Sequence, residues 1–167
     1  VVEFQDEPVS WSPDGRFITF ADHAFSGDRL IVAATDGSSI NDVTPAKGAV
    51  NLEVKGINEK IAAMLGTSAD QILIQDVVVN SVSKNTYVAV HRGKGADAVP
   101  VILKVDPAGK LSEVSLDNIK HSSVSLPDTP TQDRQRLETI TQLKYVDGKV
   151  LVAGLSNEEF SSSLRSI

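Results

Sequence analysis

Apolar and polar residues alternate with a period of two in three separate parts of the chain, each time around a short polar turn. The first is Val9 to Ser12, the turn Pro13-Asp14-Gly15, then Arg16 to Ala21, where Phe17 and Thr19 alternate with Ile18 and Phe20. This period places successive side chains on opposite faces of a strand. Pro13 suits a turn because its φ is pre-set, and Gly15 accepts a positive φ. Arg29 to Thr35, the turn Asp36-Gly37 and Ile40 to Val43 extend the expectation to a four-stranded antiparallel sheet over residues 9–44; Val1 to Phe4 is a further short strand candidate. The second part runs from the β-branched stretch Gln71 to Asn80 through the turn Ser81 to Asn85 to Thr86–His91. A polar loop, Arg92 to Ala98, leads to Pro100–Asp106, the turn Pro107-Ala108-Gly109 and Lys110–Leu116. Residues 71–116 therefore predict a second four-stranded sheet. The third part, Leu137 to Val146, Asp147-Gly148 and Lys149 to Gly154, opens a third sheet unit over residues 137–167.

Between the first two units the period changes. Asn58 is a predicted cap for a helix over residues 58–65, with Gly66 just past its end. Ile61, Met64 and Leu65 fall on one helical face, and this stripe should lie against the sheets. Asp117 to Arg136 has few apolar anchors and two prolines and predicts an extended loop over 117–136. Ser156 to Arg165 begins with a capping residue and acids, which predicts a short helix.

Recurrence of one strand–turn–strand unit points to a repeat architecture. Trp11-Ser12-Pro13-Asp14-Gly15-Arg16 followed by an alternating strand resembles the blade signature of the Tol-system propeller and related propellers. The second unit departs from the signature at Asn80 to Asn85, and the third keeps only Asp147-Gly148-Lys149. Residues 57–160, through Ala62 to Gln71 and Val152 to Phe160, also resemble bacterial secreted propeller-like proteins. That resemblance implies a β-propeller fold and export to the periplasm or medium, and it implies no activity. A closed propeller needs at least about four blades, and this chain holds about two and a half. The expectation is therefore a mainly β, single partial β-propeller domain that forms the N-terminal part of a longer propeller, with a two-sheet sandwich as the alternative. The start at Val1 rather than Met fits a processed or excised chain.

Charge narrows the partners. Sixteen Lys and Arg against 22 Asp and Glu give a net charge of −6, and no basic run exists to track phosphates, so nucleic acid is not an expected partner. No apolar stretch approaches the ~18 residues that suggest a membrane span. The absence of cysteine removes disulfides and thiolate chemistry.

Candidate chemistry is sparse. Asp22 and His23 end a strand, and His91-Arg92 precede the loop Gly93-Lys94-Gly95-Ala96-Asp97. A solvated loop whose glycines serve turn geometry is the first reading, and a His beside an Arg also suits an anionic ligand. Asp76 sits inside a very apolar strand, where an ionisable group must be paired or hydrogen-bonded. It is either a metal or substrate ligand or a structural acceptor for a neighbouring strand or turn. His23, His91 and His121 lack metal-ligand spacing, and Glu138, Asp147, Asn157, Glu158 and Glu159 do not form a calcium loop. No metal site and no cofactor are implied. The Gly-Lys-Gly segment lacks P-loop spacing, and there is no Gly-x-Ser-x-Gly elbow. Trp11 is a blade-packing candidate; Tyr87 and Tyr145 are strand residues.

The functional expectation is a non-catalytic binding or scaffold module for a protein or small-molecule ligand. Loops at one sheet end, including residues 22–28 and 92–99, would form its surface. Alternatives are a propeller-type metal-dependent lactonase or other hydrolase, and a propeller domain gating a peptidase.

Overall fold

The computed structural model describes residues 9–22, 29–34, 44–47, 52–94, 98–117, 119–131, 135, 138–157 and 162–167. Strand candidates at 1–4 and 40–43 and the turn at 36–37 lie outside this set.

The protein is mainly β, with three antiparallel sheets and one α-helix among the described residues. The first sheet contains β1 (Val9–Trp11), β2 (Phe17–Asp22) and β3 (Arg29–Ala34). Helix α1 (Ile57–Leu65) and a 3₁₀ turn (Ala69–Gln71) follow. The second sheet is a meander of β4 (Ile72–Val79), β5 (Thr86–Arg92), β6 (Val99–Val105) and β7 (Leu111–Glu113). Strand β8 (His121–Ser125) then returns to pair with β3, giving the first sheet the order β1-β2-β3-β8. This corrects the expectation of a plain loop over 117–136. All five β8 residues are exposed. Their sequence, His-Ser-Ser-Val-Ser, has no apolar face, so pairing with the β3 edge is what makes them a strand. The third sheet contains β9 (Gln142–Val146), β10 (Lys149–Leu155) and β11 (Ser162–Ser166) in the order β11-β10-β9. β11 replaces the end of the helix expected over 156–165.

The turns follow their chemistry. Gly15 (φ 69) donates its N–H to Ser12 O at 2.9 Å. Gly109 (φ 80) makes the same bond to Asp106 O at 2.8 Å, so Asp106-Pro-Ala-Gly-Lys110 repeats the Ser12-Pro-Asp-Gly-Arg16 turn. In each, the first side chain accepts backbone N–H groups: Phe17 N on Ser12 Oγ at 2.9 Å, and Ala108 N and Lys110 N on Asp106 Oδ1 at 2.9 Å. Asp147 and Gly148 have φ of 48 and 81 and join the paired residues Val146 and Lys149, the two-residue hairpin form that needs left-handed backbone.

The first sheet is the middle layer. Val9, Trp11, Ile18 and Ala33 pack with Tyr87, Ala89 and Ile102 of the second sheet. The Trp11 and Tyr87 rings lie 4.7 Å apart at 56°, a tilted aromatic contact, and Trp11 serves as a packing residue. On its opposite face Val32 joins the cluster formed by Leu126, Ile140, Leu143, Val150 and Val152 around the third sheet, and Phe17 stacks on Tyr145. Face-to-face stacking of antiparallel meanders is compatible with propeller-like blades, although the first sheet in sequence lies between the other two.

The second sheet buries its other face under α1. Ile61, Ala62 and Leu65 meet Ile72, Val88, Val90, Leu103 and Val105. Complete burial of Ile61 alone is worth ~1.5–3 kcal/mol. Met64, expected on this stripe, is exposed; Ala62 takes its place. Gly56 (φ 61), not Asn58, is the N-cap, with no side-chain cap bond, and Asn58 lies within the helix. Among the described residues no helix is long and apolar enough to cross a membrane.

Candidate functional site

The residues singled out by sequence do not assemble into one site. Asp76 and His91 face the first sheet, whereas Arg92 faces α1, because β5 alternates. Asp76 reaches that face through a bulge: the β4–β5 register shifts between Ile74 and Asp76. Without the extra residue, Asp76 would share the helix side with Ile74. Its Oδ2 accepts the Val9 N–H at 3.0 Å, and Oδ1 accepts the Val77 N–H at 2.7 Å. The carboxylate thus ties the second sheet to β1, an edge strand of the first. His91 is buried, with Nδ1 held 3.0 Å from Nε2 of Gln75, the residue inserted by the bulge. Arg92 Nη1 donates to Leu65 O at 3.4 Å, placing a cation at the negative end of α1. Asp22 ends β2 in register with Arg29, and His23 lies outside the described residues.

A second polar junction joins two turns. Asn80 is fully buried. Its Oδ1 accepts from Val82 N at 2.8 Å and Ser83 N at 3.1 Å, and Nδ2 donates to Gly15 O at 3.2 Å. Ser81 Oγ donates to Pro13 O beside it. Ser10 Oγ accepts the Tyr145 N–H at 3.2 Å, tying the third sheet to the first. Asp76, Asn80 and Ser10 thus hold sheets and turns in register. Among the described residues no group of three or more His, Asp or Glu is placed to hold a metal ion. His121 is exposed on β8, its Nδ1 3.1 Å from Ile119 O.

A concave surface lies elsewhere, on the helix side of the second sheet. A groove of about 460 Å³ is walled by Leu52, Val54 and Ile57 and floored by Ile74, Val77, Val79 and Val88. Val77 and Val79 remain 54% and 51% exposed, although they stand in the same row as the buried Ile72. Helix α1 covers the Ile72 end, and the row emerges from beneath it. Volumes of ~300–1,000 Å³ are usual for small-ligand sites, which are mostly apolar with few polar groups. Here the polar lining is Lys84 and Thr86. Thr86 is the ladder partner of Val79, so both sit at the same end. Lys84 has φ 59, and its Nζ donates to Ser81 O at 2.6 Å.

Sequence reasoning passed over this groove. Its signal was the continuous run Val77-Val78-Val79: a strand with one solvated face alternates, and this one does not. Val78 packs toward the first sheet, leaving Val77 and Val79 as an apolar surface on the other side.

The fold and site together define a mainly β protein of stacked antiparallel sheets, compatible with propeller-like blades, with an apolar groove beside its single described α-helix. Compared with known proteins, the chain matches no family model, no curated protein and no solved structure.

Proposed function

We propose that the chain is a non-catalytic binding module whose ligand seat is the groove between α1 and β4. The observation that carries this reading is the half-exposed Val77 and Val79 flooring a concavity of about 460 Å³. Exposed valines on a concave face retain free energy that a ligand recovers by covering them, at ~25 cal/mol per Å² of apolar area. The polar residues first suspected of chemistry support the same view. Asp76 is engaged with Val9 N, and Arg92 with Leu65 O, on opposite faces of one sheet. Propeller-like packing and the resemblance to secreted propeller proteins support a scaffold role outside the cytoplasm.

The test is an NMR screen of small apolar fragments against the assigned protein. Saturable shifts concentrated on Val77, Val79, Val88 and Ile57 are expected. Shifts confined to the segment around His91 to Lys94, or none that saturate, would refute the groove as the seat. Cell fractionation of the producing organism tests location, with recovery in the cytoplasm as the adverse result.

A further inference from the structure

We infer that the groove takes a short alkyl carboxylate, with the tail along β4 and the carboxylate at Lys84. This rests on the binding-module reading and adds the ligand's chemical class. The groove is polarised along its length. Its floor follows alternate positions of one strand face, from Ile74 through Val77 to Val79. At a rise of ~3.3 Å per residue that floor spans on the order of 15 Å, a shape that suits a chain more than a compact ring. All the aliphatic side chains lie along it, and the single ionisable lining group is a cation at one end. An anionic head at Lys84 with an apolar tail toward Ile74 matches both features.

Lys84 is also held unusually. A φ of 59 is left-handed, a conformation that glycine and asparagine adopt more readily than lysine. The turn between β4 and β5 fixes this backbone, since Lys84 N donates to Asn80 O at 3.0 Å and Asn80 N to Asn85 O at 2.9 Å. The ammonium has three donors, so its bond to Ser81 O leaves capacity for a carboxylate.

Isothermal titration of the full chain with octanoate below its micellar concentration tests the assignment, with octanol and octylammonium as probes of equal length. One saturable site is expected for octanoate. Affinity should rise about fourfold per added methylene from hexanoate to decanoate, the equivalent of ~0.8 kcal/mol per buried CH₂. Lys84→Met, which keeps the aliphatic stem, should weaken octanoate about fivefold and leave octanol unchanged. Val77→Arg should abolish both while the far-UV spectrum is retained. Octanol or octylammonium binding as tightly as octanoate would overturn the carboxylate assignment and leave the binding module standing. No saturable binding by any of the three would overturn both. Self-association abolished by Val77→Arg would assign the groove to a second copy of the chain and overturn the proposal.

Discussion

Gly154→Ala should be among the most damaging single-methyl additions to this protein. Gly154 lies on β10 where the segment entering β9 runs alongside it. A Cβ built there would run into Thr139 O and stand 2.5 Å from Thr139 C. Real Cβ contacts essentially never fall under 3.0 Å, so backbone must move by roughly an ångström, because no side-chain rotation relieves a clash with a carbonyl. That backbone is fixed on both sides: Leu155 N donates to Glu138 O at 2.8 Å, and Thr141 N to Ala153 O at 2.9 Å. Between them Thr139 and Ile140 are completely buried. Overpacking costs ~1–3 kcal/mol, and each buried hydrogen bond left open adds ~1–3 kcal/mol. A total of about 3–5 kcal/mol follows, lowering Tm by roughly 10 °C for a chain of this size. Equilibrium urea unfolding followed by far-UV circular dichroism measures it. Gly66→Ala is the control: φ is 66, nothing lies within 4 Å of the added methyl, and the cost is ~1–2 kcal/mol of left-handed strain. A Gly154→Ala cost no larger than that of Gly66→Ala would refute the close approach of Thr139 to β10.

Three further outcomes follow from the polar ties. Asp76→Ala should cost about 1–2 kcal/mol by stranding the Val9 N–H, while Asp76→Asn, whose amide oxygen can still accept, should cost less; hydrogen exchange at Val9 should quicken in the first variant alone. Asn80→Ala and Gly15→Ala should each destabilise, the second because its methyl would stand 2.6 Å from Asn80 Oδ1. The double variant should cost less than the sum, since removing Asn80 clears the methyl's obstruction, and strict additivity in a denaturation cycle would contradict the contact. The Ser12 hydroxyl, with the Arg16 backbone N–H and guanidinium, holds the Asp14 carboxyl below its ordinary value. Its contribution to stability is therefore present above the ordinary carboxylate pKa and is lost as pH falls through the depressed one. NMR titration should show the Asp14 pKa rising in Ser12→Ala, and an unchanged value would count against the bond.

What the sequence disclosed was whatever local chemistry decides. The turns at Ser12–Arg16 and Asp106–Lys110 carry serine and aspartate acceptors, and these two and Asp147-Gly148 place glycines at left-handed positions. The second sheet between them forms from neighbours in sequence. What stayed hidden was decided at a distance. β8 has no apolar period and becomes a strand only where β3 offers an open edge, with Arg29 opposite Ser125. β11 carries Ser-Ser-Leu-Arg-Ser and is specified by β10 in the same way. The bulge beside Gln75 reverses which residues face inward along half of β4, so a count of alternation from Ile72 assigns Asp76 to the wrong side. For the candidate site, Asp76, His91 and Arg92 stand out in the sequence because their side chains are reactive. The groove is made of valines, whose significance emerges only when one learns how far a nine-residue helix reaches along an eight-residue strand.

That helix also gives the stack a direction. Its outward positions, Asn58, Glu59 and Lys60, are polar and solvated, so α1 caps the part of the second sheet that it covers, much as an end piece caps a solenoid. On the opposite flank the third sheet turns Leu164 to solvent at 71% exposure, with Val146 also exposed. The two flanks therefore differ: one is partly capped by a polar helix, with Val77 and Val79 left bare beside it, and the other carries no described helix.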